Sequence, residues 1–263
     1  MSDFIFTIEN VRKNYFDRNR PQTLLFQNIN IERGVITVIK GETGIGKTTL
    51  LNMLGLMDQI TFNKNDNITF FPEPGKAILY SDIYARGYFQ KEKNFEKYRK
   101  EYFGFMFQHD HLIDGWTGFE NISLPYLISN PGIPLSVPRK KAEELIEICQ
   151  FFDMSEILDS SPATYSGGQR QRTALLRALI RKPIVIFADE PFASVPKKRA
   201  KDILKVLCTQ AEKEGVTTIM VAHDTHDALL SLPEKNIKTI ELEEKRSENS
   251  KIISVKKGSS NEK

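Results

Sequence analysis

Short apolar runs alternate along this chain with longer stretches of helical spacing. The β-branched run VITVIK, residues 35–40, predicts a strand, and the apolar residues of TTLLNMLG, 48–55, follow it at helical spacing up to a glycine. PIVIFAD, residues 183–189, is almost entirely apolar, which is typical of a strand buried on both faces of a parallel sheet. This order of strands and helices predicts an α/β fold.

The middle of the chain carries two more patterned segments. Two short strands are predicted around 67–71 and 76–80, followed by a charged helix near 91–102. The stretch SVPRKKAEELIEICQFF, 136–152, has a proline near its start and apolar residues at helical spacing. It therefore predicts a helix, with Lys140 and Glu144 paired four residues apart on its surface.

Composition limits the class of protein. The chain has 263 residues, 40% of them apolar and 27% charged, which suits a soluble globular protein with a hydrophobic core. No apolar run reaches the roughly 20 residues that span a bilayer, and the N-terminus does not resemble a secretory signal. Cys149 and Cys208 lie inside helical patterns and are expected to be buried free thiols in a reducing cytoplasm.

The net charge of +3 is unevenly distributed. Residues 245–263 contain six Lys/Arg and two Glu, so this tail is +4 and the rest of the chain is near −1. The body therefore lacks the basic surface that a nucleic-acid partner requires. The tail is predicted to be polar and disordered, with contact to an anionic membrane surface as the alternative.

The segment GETGIGKT, residues 41–48, fits the phosphate-binding pattern G-x-x-x-x-G-K-[ST] between a strand and a helix. Its glycines let backbone N–H groups turn toward phosphate oxygens, Lys47 reaches the β- and γ-phosphates, and the Thr48 hydroxyl can ligate Mg²⁺. The sequence thus predicts ATP and Mg²⁺ as ligands. The residues expected around the phosphates are Gly41, Glu42, Thr43, Gly44, Ile45, Gly46, Lys47, Thr48 and Thr49.

Two acids follow the second buried strand. Because ligands bind at the carboxyl ends of parallel strands, Asp189 is expected near the phosphate loop as a Mg²⁺ partner. Glu190 points differently and can orient an attacking water or accept its proton. The structural alternative is that either acid caps the next helix.

A third motif lies between these two, in TYSGGQRQRTALLRALIRKP, residues 164–183. It resembles the signature motif of ABC-type ATPases, and the resemblance extends over residues 4 to 244. The chain is similar to this family at Tyr15, Gly41–Thr48, Gln108, Ser166-Gly167-Gly168-Gln169, Asp189-Glu190 and His223.

The resemblance implies roles for these positions. Glu190 and His223 are the expected catalytic residues, and Tyr15 is expected to stack on adenine. Thr48, Gln108 and Asp189 are the expected Mg²⁺ ligands. The signature residues Ser166, Gly167, Gly168 and Gln169 are expected to cap the γ-phosphate that a second chain holds, in a head-to-tail homodimer or heterodimer.

The resemblance also implies the architecture. It is a P-loop NTPase with a RecA-like core, an N-terminal antiparallel β region and an inserted α-helical subdomain at about 109–165, all within an ATPase domain of residues 1–244. Such a subunit works at the cytoplasmic face of the membrane, without a transmembrane segment of its own, and powers an integral-membrane partner.

Within the family, LLNMLGLMD, FGFMFQ and ENISLPYL resemble the subfamily of lipoprotein release and macrolide efflux (LolD- and MacB-like). Cell-division and amino-acid-uptake ATPases share many of these residues. A regulator or scaffold of the cell-division type and a soluble ABC ATPase therefore remain alternatives to a transporter subunit.

Some features depart from the family. Tyr165 replaces the usual leucine before the signature, and Val195-Pro196 stands where a Leu-Asp pair couples the two sites of the dimer. The segment 56–108 is longer than expected, which indicates either an elaborated surface loop or a partner contact. Trp116 and Phe119 are either local core or partner contacts. The remaining histidines, His109, His111 and His226, are expected at the surface or in a groove.

Overall fold

The computed structural model describes residues 3–17, 20–60, 62–63, 66–108, 110–192, 197–222, 236–247 and 250–255. The strands are β1 (Phe4–Glu9), β2 (Val11–Asp17), β3 (Arg20–Gln27), β4 (Ile29–Glu32), β5 (Ile36–Lys40), β6 (Asn67–Glu73), β7 (Lys76–Leu79), β8 (Phe103–Met106), β9 (Val185–Asp189), β10 (Thr217–Val221), β11 (Ile237–Ser247) and β12 (Ser250–Val255). The helices are α1 (Lys47–Leu54), α2 (Tyr80–Tyr84), α3 (Tyr88–Tyr102), α4 (Gly118–Ser129), α5 (Ser136–Cys149), α6 (Asp153–Ile157), α7 (Gly167–Leu179) and α8 (Lys197–Glu214), with a 3₁₀ turn at Pro162–Thr164.

The larger sheet carries the core. Its order within the described residues is β2-β3-β12-β11-β5-β10-β9-β8, and the five strands from β11 to β8 are mutually parallel. The central strands β5, β9 and β10 are buried on both faces, as their continuous apolar runs predict. This sheet confirms the predicted α/β class.

A smaller antiparallel sheet, β4-β1-β6-β7, covers one face of the core. Aromatic rings fill the contact between the two sheets. Phe70 of β6 meets Phe103 of β8 edge to face at 5.2 Å between ring centroids, and Phe6 of β1 lies 6.2 Å from Phe187 of β9. Because such pairs combine large buried area with specific ring geometry, they fix how the N-terminal β region sits on the core.

The segment between residues 56 and 108 is largely packed. The predicted strands and charged helix are present as β6, β7 and α3. Tyr80 is fully buried and its hydroxyl donates to the Leu54 carbonyl at 2.6 Å, while Phe95 of α3 is 2% exposed. The segment is therefore not only a surface loop, although Tyr88 and Phe89 at the start of α3 are 67% and 83% exposed.

The α-helical arm occupies the predicted part of the chain. It contains α4, α5, α6 and the 3₁₀ turn, and it packs on α7. Thr117 and Glu120 form a capping box that starts α4. The predicted surface pair Lys140–Glu144 is present in α5 at 4.0 Å.

The prediction of a disordered tail is wrong for the first half of residues 245–263. Residues 245–247 complete β11, and residues 250–255 form β12, which pairs in parallel with β3. The polar composition gave little signal of this strand, because Ile253 is fully buried while Lys251, Ile252, Ser254 and Val255 are only half-buried. The folded body therefore continues past residue 244, and residues 256–263 lie outside the described part.

Candidate functional site

The register of the parallel sheet brings four loops to one edge. Val221 pairs with both Ile39 and Asp189, and Met106 pairs with Ala188. Strands β5, β10, β9 and β8 consequently end at the same level. The phosphate loop, the acids and the glutamine that follow these strands must lie together at this carboxyl edge.

The phosphate loop has the backbone that its glycines predict. Gly44 and Gly46 have φ angles of 82° and 105°, in the left-handed region. A side chain at Gly46 would also lie 2.9 Å from Leu24 of β3. No side chain caps α1 at Gly46, so the N–H groups of its first turn remain available to an anion.

Lys47 is 7% exposed and bends back over the loop. Its Nζ donates to the carbonyl oxygens of Gly41 at 2.8 Å and Glu42 at 3.0 Å. The ammonium group is thereby held inside the curl of the loop, next to the exposed residues Glu42, Thr43 and Gly44. This is where phosphate oxygens lie in a loop of this pattern.

Thr48 and Asp189 meet across the edge of the sheet. The Thr48 hydroxyl donates to Asp189 Oδ1 at 3.1 Å. Burial raises the pKa of the Asp189 carboxyl above its ordinary value, the Thr48 hydrogen bond and Lys47 act against that shift, and Glu190 adds to it. Two hard oxygen donors in a partly buried, carboxylate-containing position fit a Mg²⁺ ion.

Glu190 turns away from its strand at once. Its φ angle is 42°, which is uncommon for a residue with a side chain, and its N–H donates to the Val221 carbonyl at 3.0 Å. Gln108 Nε2 donates to Glu190 Oε2 at 3.2 Å. The structure thus joins two residues that the sequence separates by 82 positions.

Tyr15 stands beside the first turn of α1. Its hydroxyl shares a hydrogen bond of 2.6 Å with Thr49 Oγ1, and Lys13 Nζ lies 5.5 Å from the centre of its ring. Lys13 itself pairs with Asp58 and donates to the Gln59 carbonyl at 2.8 Å. The ring is therefore fixed next to the phosphate loop, as adenine stacking requires.

The signature residues form the start of α7. Ser166 and Gln169 make a capping box, in which Gln169 Oε1 accepts from the Ser166 N–H at 2.9 Å. Ser166 and Gly167 are exposed, and a cavity of about 110 Å³ lies beside them, lined by Asp153, Ser166, Gly168, Gln169 and Arg172. The arm and α7, rather than the sheet edge, hold the signature residues in place.

Tyr165 explains how this chain dispenses with the usual leucine. It is 8% exposed, and its hydroxyl donates to the carbonyls of Ile157 and Ser160. A ring with a polar tip can fill an apolar site and also satisfy the last carbonyls of the arm. The substitution therefore anchors the signature to α6 and the turn that follows it.

Sequence reasoning missed an ionic network behind the signature. Arg170 forks onto Asp110, with Nε to Oδ2 at 2.8 Å and Nη2 to Oδ1 at 2.9 Å. The only sequence signal was the basic character of the helix, because nothing in the spacing indicates a partner 60 residues away.

Trp116 is 38% exposed and Phe119 half-buried, and His111 is exposed as expected.

Several predicted positions lie outside the described residues. They are His223, expected as catalytic, the altered pair Val195-Pro196, and His109 and His226. Strand β10 ends at Val221 and Ala222 is buried, so the described structure stops just before His223. The strand, glycine loop, helix and facing carboxylates nevertheless define the class, a P-loop nucleoside triphosphatase.

Comparison with known proteins gives the family. The sequence profile described as ABC transporter matches residues 26–193. The bacitracin export ATP-binding protein BceA of Halalkalibacterium halodurans is 35% identical over 222 residues, covering 84% of this chain and 79% of that protein. The chain belongs to the ABC transporter family as an ATP-binding subunit, an ATPase that powers a membrane transporter.

Other relatives agree. The lipoprotein-releasing ATP-binding protein LolD of Neorickettsia sennetsu is 33% identical, covering 85% of this chain and 90% of that protein. The solved structure of the ATP-binding cassette MJ0796 bound to ADP and Pi, a dimer in a post-hydrolysis state, superimposes with a TM-score of 0.71 at 27% identity. That match covers 90% of this chain and 93% of that one.

Two further observations concern metal-ligand clusters and membrane-spanning helices. In the described ranges, no cluster of three or more His, Cys, Asp or Glu side chains could hold a metal alone. Every helix in the described part of the chain is too short or too polar to span a bilayer.

Proposed function

We propose that this subunit hydrolyses ATP in sites shared between two chains. In each site, Lys47 and the loop N–H groups bind the β- and γ-phosphates, and Tyr15 stacks on adenine. Thr48, Asp189 and Gln108 hold Mg²⁺, which offsets phosphate charge during hydrolysis. The observation that carries this proposal is the meeting of Thr48 with Asp189 and of Gln108 with Glu190 at one sheet edge.

Glu190 positions the attacking water. Its carboxylate lies beside the Gln108 amide, which donates a hydrogen bond to it and so fixes its orientation. Asp189 accepts from Thr48 whereas Glu190 accepts from Gln108, so the two acids have different partners and take separate tasks. We expect His223, which follows β10 by two residues, to contact the γ-phosphate.

The signature serves the other chain of a dimer. Ser166 and Gly167 are exposed at the start of α7, where the helix dipole favours a phosphate. The dimeric form of the cassette MJ0796 supports a dimer, and we infer that its two chains face head to tail. ATP would then join two chains, and hydrolysis would loosen them.

The arm offers a docking surface for the membrane subunit. An apolar groove of about 410 Å³ runs along α4 and is lined mainly by Trp116, Phe119, Leu124, Leu127 and Leu135. Trp116 and Leu135 are 38% and 60% exposed, so this surface is unpaired within the described chain. We place the subunit at the cytoplasmic face of the membrane, docked through this groove.

The direction of transport is export or release. BceA, LolD and the macrolide exporter MacB of Bartonella henselae, which is 32% identical and of which this chain covers 31%, carry such activities in their names. We infer a lipid-linked or amphipathic substrate for the complex. The substrate contacts the membrane subunit and not this chain.

The experiment that tests the proposal compares the parent with Glu190→Gln. The variant should keep its ATP affinity and lose about 10²- to 10⁴-fold in turnover, because only the water-positioning carboxylate is removed. ATP should also trap it as a dimer in light scattering. Turnover at the parent's rate would overturn the role of Glu190, and a parent with no ATP binding would overturn the function.

A further inference from the structure

One arginine, Arg170, contacts two parts of this chain that the proposed function assigns to different ATP sites. They are the segment that follows Gln108 and the start of the signature helix. We call residues 110–117, which follow Gln108 and precede α4, the strap. Arg170 lies in the first turn of α7, and its guanidinium holds Asp110 through two parallel hydrogen bonds and Asp114 Oδ1 at 3.1 Å. It also donates to the Pro162 carbonyl at 2.9 Å, just before the signature.

The strap depends on α7 for its position. It has no regular secondary structure, and apart from two internal bonds, which Leu112 and Trp116 donate, its polar groups are bound by other elements, among them Asn121 of α4 at Ile113. Arg177, two turns further along α7, donates to the carbonyls of Asp110 and His111, the latter at 2.7 Å. The Ser161 hydroxyl donates to the Asp114 carbonyl at 2.6 Å. A shift of the strap must therefore either move α7 or break these bonds.

One end of the strap lies close to the chain's own nucleotide site. Gln108, which donates to Glu190 at 3.2 Å, is two residues before Asp110. Two residues of chain span at most about 7 Å, so Asp110 lies within that distance of Gln108. The other end carries Trp116, which lines the apolar groove on the arm.

The opposite side of the contact reaches the signature. The Arg170 N–H donates to the Ser166 carbonyl at 3.0 Å, so Arg170 belongs to the same helical turn as the capping box. The side chains of Arg170 and Asp110 are only 26% and 16% exposed, while Asp114 is 65% exposed. A forked, partly buried pair is held more firmly than a surface ion pair, so Asp110 is the main partner.

We propose that Arg170 is a positioning residue that locks the strap to the signature helix. A chain's own nucleotide site and the signature that it presents to its partner then move as one unit. The inference rests on the proposed function and adds the means by which occupancy of one site is communicated to the other. The element that links the two sites is the strap. Its two states are the positions that it takes with and without nucleotide bound next to Gln108.

The test uses the full chain and a double-mutant cycle. Arg170→Gln and Asp110→Ala are each expected to lower kcat about tenfold while the affinity for a fluorescent ATP analogue stays within about twofold. The double variant should lose no more than either single one, because both act through one contact. Arg12→Gln is the matched control: Arg12 also forms a partly buried ion pair with an aspartate, Asp66, at 2.5 Å, and no hydrogen bond or ion pair among the described residues joins it to the strap.

A second measurement does not depend on turnover. At concentrations where the chain is monomeric, ATP should slow amide hydrogen exchange in residues 110–116 and in 167–171 together. In Arg170→Gln the protection should remain in the strap and disappear from the signature turn. This readout distinguishes communication from simple stabilisation, which would change both segments with or without ATP.

The outcomes separate the two proposals. Equal losses in Arg170→Gln and Arg12→Gln, additive losses in the double variant, or independent protection of the two segments in the parent would each overturn the inference alone. A parent that binds no ATP would overturn the proposed function and the inference with it. Tenfold loss, non-additivity and shared protection would support both.

Discussion

The loop half-site and the signature half-site of this chain are held in place by different means. The loop half-site, Gly41–Thr49 with Gln108, Asp189 and Glu190, lies where neighbouring parallel strands end in register. The signature half-site, Ser166–Gln169, starts a helix whose surroundings are the strap and the arm. One is fixed by sheet hydrogen bonds and the other by side chains.

The difference teaches where each half-site can move. The loop half-site is already assembled without nucleotide, since Thr48 and Gln108 bond the two acids. Strand register cannot shift by one residue without turning every buried side chain outward. The signature can shift by rearranging a few side-chain bonds, among them those of Arg170 and Tyr165. Motion in the catalytic cycle should therefore concentrate in the arm and α7.

Lys47→Ala gives the largest expected effect on the loop half-site. It removes the ammonium group enclosed by the Gly41 and Glu42 carbonyls, and ATP affinity should fall about 10- to 100-fold. The unfolding midpoint without nucleotide should change little, because the half-site is held by the sheet. Calorimetric titration with ATP measures the first effect and thermal unfolding the second. An unchanged affinity would contradict the assignment of the loop.

Tyr165→Phe probes the signature half-site. The variant keeps the ring and loses the bonds to the Ile157 and Ser160 carbonyls, so the free energy of unfolding should fall by about 1–2 kcal/mol. Turnover should fall while ATP affinity does not. Tyr126→Phe is the control, since the Tyr126 hydroxyl makes no hydrogen bond among the described residues. A loss of ATP affinity equal to the loss of turnover would contradict the separate roles of the two half-sites.

The rates at which the two cysteines are labelled report local opening of the arm and of the core. The expected difference is smaller than the effects of the substitutions above. Burial raises the pKa of the Cys149 thiol in the arm to about 12, and it also raises that of Cys208 in α8. Both should react far more slowly than unfolded thiols at pH 8. Cys149 should be labelled before Cys208 if the arm opens first. Simultaneous labelling of both thiols would indicate that the arm and the core open together.

The same burial has a pH consequence. The folded Cys149 thiol stays neutral, whereas the unfolded thiol ionises near its ordinary value of 9. Its contribution to stability is therefore fully present below pH 9 and declines as the pH rises toward 12. Urea unfolding at pH 8 and pH 10 should show a smaller decline for Cys149→Ala than for the parent.

Sequence reasoning succeeded where local signals and sheet geometry agree. Strand β5, the glycine loop and α1 follow directly from VITVIK and GETGIGKT, and the end of β9 places Asp189 and Glu190. It failed where the partner is distant or the signal is thin. Arg170 meets Asp110 only because the arm folds back, and β12 buries so few side chains that its composition resembled a disordered tail.

The central claim is that each ATP site combines the loop half-site of one chain with the signature half-site of another. Mixing Lys47→Ala with Ser166→Arg tests it directly, because each variant alone has no complete site. In a random mixture, half of the dimers carry one intact composite site, so hydrolysis should return to about a quarter of the parent's rate. A mixture that stays inactive, with both chains folded and the Ser166→Arg chain still binding ATP, would contradict the account.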